Sequence, residues 1–103
     1  MINVSLLKNN DNLIGFEITG HADFDEYGKD IVCAGVSTLA YTVVNTVDNY
    51  INNFEFSDDD LLMRLEVCDL TDEVKVILST FEIGIKTLSQ SYGHYVKFNF
   101  KEI

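Results

Sequence analysis

The chain has 103 residues, 47% of them hydrophobic, and 17 acidic against 7 basic side chains for a formal charge of −10. That size and apolar content fit one folded domain over residues 1–103 and exclude a disordered chain. The acidity excludes direct nucleic-acid binding, because neutralising phosphates takes Lys and Arg; it fits either plain solubility or attraction to a basic protein partner. No apolar run approaches the roughly 18 residues that span a bilayer, so no membrane association is expected. Met1-Ile2-Asn3-Val4 carries neither a basic n-region nor a long apolar h-region, so no secretory signal is expected and the two cysteines, Cys33 and Cys68, read as reduced thiols of a cytoplasmic protein.

In chain order, Ile2, Val4 and Leu6 alternate with polar residues, Asn9-Asn10-Asp11-Asn12 supplies turn chemistry, and Ile14, Phe16 and Ile18 alternate again. These make a β-hairpin that Gly20 closes. From Asp30 the period changes: Val32, Val36, Leu39, Ala40, Val43, Val47, Tyr50 and Ile51 share one helical face, predicting a helix over about 31–51. Phe54 and Phe56, the turn Ser57-Asp58-Asp59-Asp60, and Leu61, Met63, Leu65 and Val67 form a second hairpin. Thr71 is the expected N-cap of a second helix with Asp72 and Glu73 in its first turn, and Val74, Ile77, Leu78, Phe81, Ile85 and Leu88 trace its buried stripe. Gly93 suits its C-terminal cap, and Val96, Phe98 and Phe100 mark a last strand. The order ββαββαβ predicts an α+β two-layer sandwich: a mostly antiparallel sheet with two helices packed on it.

The chemistry concentrates between the first hairpin and the first helix. His21 sits just past a strand end, and Cys33 is the third helical position if Asp30 is the N-cap. A cysteine attacks as its thiolate, and the unpaired N–H groups of a helix start favour an anion there. The same N–H groups are candidate oxyanion donors, and His21 is placed to take the thiol proton and later deliver it to a leaving amine. Taken singly, Cys33 fits inert packing and His21 a surface site; their joint placement at facing element ends favours thiol chemistry. Ser37, one turn after Cys33, either orients the site or bonds back to a helix carbonyl. Phe24, Tyr27 and Gly28 belong either to a lid over a bound peptide or to an ordinary connection whose aromatics tuck into the core edge. One His and one Cys among scattered carboxylates have no zinc spacing, so neither metal nor cofactor is expected. Cys68 reads as structural and His94 as solvated.

Gly20-His21-Ala22, the Glu26-Tyr27-Gly28 loop and Asp30-Ile31-Val32-Cys33-Ala34-Gly35-Val36-Ser37 together resemble the signature of the ribosomal-processing cysteine proteases, the Prp family. The resemblance covers nearly the whole chain. It implies a bacterial thiol protease, a peptide-bond hydrolase of ribosome biogenesis, that removes a short N-terminal extension from a large-subunit ribosomal protein (L twenty-seven) after a paired-aromatic segment. It further implies Cys33 as nucleophile, His21 as general base, Asp30 in support, a homodimer, and a loop that orders on substrate. The acidic balance then suits a basic N-terminal segment as partner. The alternatives are a non-catalytic ribosome-assembly factor gripping a basic protein tail, and a redox-sensing thiol at Cys33.

Overall fold

The computed structural model describes residues 1–26 and 29–103. Its elements follow the predicted order: β1 (Ile2–Asn9), β2 (Asn12–Gly20), α1 (Ile31–Tyr50), β3 (Phe54–Asp58), β4 (Leu62–Val67), α2 (Asp72–Ser91) and β5 (Val96–Glu102). The strands form one sheet in the order β3-β4-β2-β1-β5. All pairings are antiparallel except β1 with β5, which run parallel with Ile2 opposite Val96. The β1–β2 turn uses Asn10 (φ 51°) and Asp11 (φ 69°), the two left-handed residues that a tight hairpin matching strand twist requires.

One face of the sheet meets the helices. Val4, Leu6, Phe16 and Leu65 bury against Val32, Val36, Ala40, Val43 and Val47 of α1 and against Val74, Leu78, Phe81 and Ile85 of α2. Phe16 and Phe81 stack with ring centroids 4.1 Å apart. The helices approach closely at Gly84, where a Cβ would lie 2.6 Å from a Leu39 methyl. On the sheet, Glu17 of β2 accepts from Arg64 of β4 at 3.1 Å and from Lys101 at 3.0 Å, and both partners hold its carboxyl below the usual range, Lys101 most strongly. By length and composition α1 would suffice to cross a membrane; here six of its residues line the protein core instead.

The structure corrects several details. Tyr50, the last residue of α1, is 58% exposed rather than on the buried face, and Val44 is buried beside Val43. Leu61 lies in the turn, 81% exposed, instead of in β4. Gly93 does not cap α2: Tyr92 does, and Gly93 is outside the left-handed region. Cys68, just past β4, is an exposed free thiol rather than a packed one, and Phe100 is half-exposed on the edge strand β5.

Candidate active site

Strand β2 ends at Gly20 with φ +83°, and a Cβ there would lie 2.2 Å from the Met1 carbonyl oxygen. Only glycine fits that turn without displacing the chain. It releases His21 at the sheet margin, where the Met1 amine donates to the His21 carbonyl. Ala22 then turns inward and is buried.

The helix start is built by one carboxylate. Asp30 Oδ1 accepts the N–H groups of Val32 and Cys33, both at 3.0 Å, as the expected N-cap. Its Oδ2 accepts Phe24 N–H at 3.0 Å and Asp25 N–H at 3.4 Å. Asp30 therefore ties the segment following His21 to the first turn carrying Cys33. These donors, Cys33 N–H foremost, hold its carboxyl below the ordinary aspartate value.

Cys33 is half-buried, and the Ala22 N–H donates to its Sγ at 3.4 Å. The residue next to His21 thus touches the Cys33 sulfur directly. One expectation changes here. Val32 and Cys33 N–H are committed to Asp30, and Ala34 N–H joins the helix ladder to the Asp30 carbonyl at 3.0 Å, so these first-turn groups are not free oxyanion donors. The Ala22 N–H is a backbone donor to the sulfur itself.

His21, Cys33, Gly20, Asp30 and Ser37 all line one open cleft of about 700 Å³. The structure therefore gathers these five expected residues, with Ala22 directly behind the sulfur. Phe24 stands apart: it packs edge-on against Tyr95 and Tyr92, with centroids 5.1 and 5.7 Å away, and does not line the cleft. The residue is 39% exposed, its ring resting on the two tyrosines. Tyr27 and Gly28 lie outside the described residues.

The far wall of the cleft went unread in sequence. The β3–β4 hairpin contributes Asp58, Asp60, Leu61, Leu62 and Met63, and Ile18 adds apolar surface from β2. Asp23 and Asp25 join Asp30 on the opposite rim, so the described lining holds five aspartates and neither Lys nor Arg. The run Ser57-Asp58-Asp59-Asp60 marked a turn and nothing more, since sequence spacing carries no sign that a distant hairpin faces Cys33.

Comparison with known proteins gives the class: the chain is a cysteine protease. The family model described as Cysteine protease Prp matches residues 1–97, and the protein belongs to that family. The ribosomal processing cysteine protease Prp of Staphylococcus aureus (strain Mu50) is 30% identical over 106 residues, covering 98% of this chain and 100% of that one. The crystal structure of the S. aureus ribosomal processing protease Prp with a covalently linked product peptide superposes with a TM-score of 0.91 at 30% identity, covering 98% of this chain and 100% of that one. Its complex with a substrate peptide gives a TM-score of 0.85 at 29% identity over the same shares.

Proposed function

We propose that this protease removes the N-terminal extension of the bacterial large-subunit ribosomal protein L twenty-seven in the cytoplasm, through a Cys33–His21 dyad. The observation that carries the reading is local. His21 and Cys33 border one cleft, and the backbone N–H between their segments points at the sulfur. The S. aureus relatives, named as ribosomal processing proteases and solved with substrate and product peptides, support the substrate class.

In this mechanism His21 takes the Cys33 proton and the thiolate attacks the scissile carbonyl carbon. The Ala22 N–H, which donates to Sγ, favours the thiolate before attack, and the carbonyl oxygen gathers negative charge as the tetrahedral intermediate forms. Collapse breaks the C–N bond, the imidazolium returns its proton to the leaving amine, and the acyl group remains on Sγ as a thioester. Water, deprotonated by His21, then attacks the thioester; the acid product leaves and the thiol is restored. Asp30 acts by holding both backbone segments, and Ser37 borders the cleft one turn along from the sulfur.

The five cleft aspartates favour a basic peptide segment by charge complementarity. A homodimer is expected as well: Val76 and Ile83 present exposed apolar side chains from α2, a surface suited to a second copy. Sedimentation analysis at micromolar concentration tests this, and a monomer there excludes it.

The deciding experiment incubates the protein with the extended ribosomal protein and reads the products by mass spectrometry. Wild type is expected to cut once, after the paired-aromatic segment, and Cys33→Ala not at all. Equal cutting by Cys33→Ala refutes the dyad. Tight, salt-sensitive binding by wild type without any cut supports the assembly-factor alternative.

A further inference from the structure

The hairpin wall opposite Cys33 has little burial to hold it. Strand β3 is a five-residue edge strand, and Asp58, Asp59, Asp60 and Leu61 are all exposed. Segments of that kind open locally at low cost unless specific contacts restrain them. Hydrogen bonds shape the turn itself: Asp59 Oδ1 accepts from Leu61 N–H at 3.0 Å and Leu62 N–H at 2.8 Å, and Asp58 Oδ1 accepts from Asp60 N–H at 3.2 Å.

The second oxygen of Asp58 leaves the hairpin and accepts from the Tyr41 hydroxyl of α1. The Tyr41 ring also packs edge-on against Phe56 of β3, with centroids 5.8 Å apart. Cys33, Ser37 and Tyr41 follow one another at four-residue spacing, so one face of α1 runs from the sulfur to the phenol. The hydrogen bond to Asp58, with some burial and the charges of Asp58 and Asp60, raises the Tyr41 pKa above its ordinary value, so the phenol remains a donor at neutral pH.

We propose that Tyr41 and Asp58 form a latch that sets the hairpin wall relative to Cys33, which makes Tyr41 a positioning residue for the peptide substrate although it does not line the cleft. The proposal rests on the cleft being the substrate site. Asp58 is the pivot, because one carboxylate holds the turn with one oxygen and the helix with the other. Substrate bound between α1 and the hairpin then feels the latch as affinity, while the reacting atoms at the other end of the α1 face do not.

Steady-state kinetics on a synthetic peptide spanning the expected cut, together with amide hydrogen exchange of the free enzyme, tests the latch. Tyr41→Phe keeps the ring on Phe56 and removes only the hydroxyl. It is expected to raise KM about three- to tenfold with kcat within about twofold, and to speed exchange at the amides of residues 59–62. Asp58→Ala should raise KM further, since it loses the latch and a cleft charge together. The double variant Tyr41→Phe/Asp58→Ala should match Asp58→Ala alone, as two partners of one contact must.

Additive effects in that cycle, an unchanged KM in Tyr41→Phe, or a lowered kcat at constant KM each overturn the latch. So does unchanged exchange at the hairpin. If the wild type shows no Cys33-dependent cleavage, the proposed function fails instead, and the exchange comparison still decides whether the latch exists.

Discussion

Helix α1 carries two regions of opposite character on one backbone. Toward the sheet, Val32, Val36, Ala40, Val43 and Val47 are buried among apolar neighbours; on another face Cys33 and Ser37 line the cleft, and Tyr41 beyond them bonds the hairpin's Asp58. The first region is held by area removed from water, which is insensitive to pH and to the precise direction of any one group. The second is held by charged acceptors: Asp30 on four backbone N–H groups, Asp59 on two, and Asp58 joining turn to helix. Stability and reactivity are therefore separable here, and a substitution on one side should leave the other readable.

The sharpest way to expose that separation is to remove the proposed dyad. Cys33→Ala is expected to lower peptide cleavage by about 10⁴-fold or more, and His21→Ala by about 10²–10⁴-fold. Thermal unfolding of both should stay within a degree or two of wild type, since the His21 side chain is exposed and Cys33 sits at the core margin. A large loss of melting temperature in either variant would show that the two regions are coupled.

The converse change strikes the core. Phe81→Ala removes the ring stacked on Phe16 and should cost about 3–5 kcal/mol, read by denaturant unfolding. Cleavage per folded molecule should persist in conditions that keep the variant folded.

Gly20→Ala tests the seam between the regions. Its positive φ alone costs about 1–2 kcal/mol for a residue with a Cβ, and the clash with the Met1 carbonyl must move the strand end that carries His21. Stability and kcat should fall together, unlike in either previous case; an unchanged kcat in the folded variant separates the Gly20 turn from His21 placement.

The smallest effect is a pH signature of the cleft. The folded Asp30 pKa lies below its unfolded value near 3.8, so its carboxylate contributes stability that is fully present above that unfolded value. The contribution is lost as pH falls through the lower, folded value. Asp30→Asn should therefore melt below wild type at neutral pH, with the gap intact down to about pH 4 and closing only as pH falls further, through the lower folded value. A gap that stays constant down to the acid end would mean that the Asp30 charge is immaterial.

Much of this was legible in the residues. Alternation and helical spacing named all seven elements in order, and the Asp30 and Thr71 caps stand where the sequence placed them, because local hydrogen bonding and hydrophobic periodicity are written into neighbouring residues. The Gly20–Ser37 stretch carried the candidate dyad for the same reason: its parts lie close in sequence. Leu61 and Tyr50 were misplaced because a periodic pattern does not say where a turn or a helix ends. That Asp30 takes up both the Val32 and the Cys33 N–H, leaving neither as an oxyanion donor, emerged only in the structure.

The sequence by itself determined the α+β class, the helix start beneath Cys33 and the acidity that suits a basic partner. Tertiary structure alone decided the β3-β4-β2-β1-β5 order, the parallel β1–β5 pair, the Ala22 contact to the sulfur and the hairpin wall facing it. The reason is distance along the chain. Local rules reach one turn or one hairpin, whereas the cleft joins Cys33 to Asp58–Met63 across the packed sheet, and only the shared burial of sheet and helices brings those segments together.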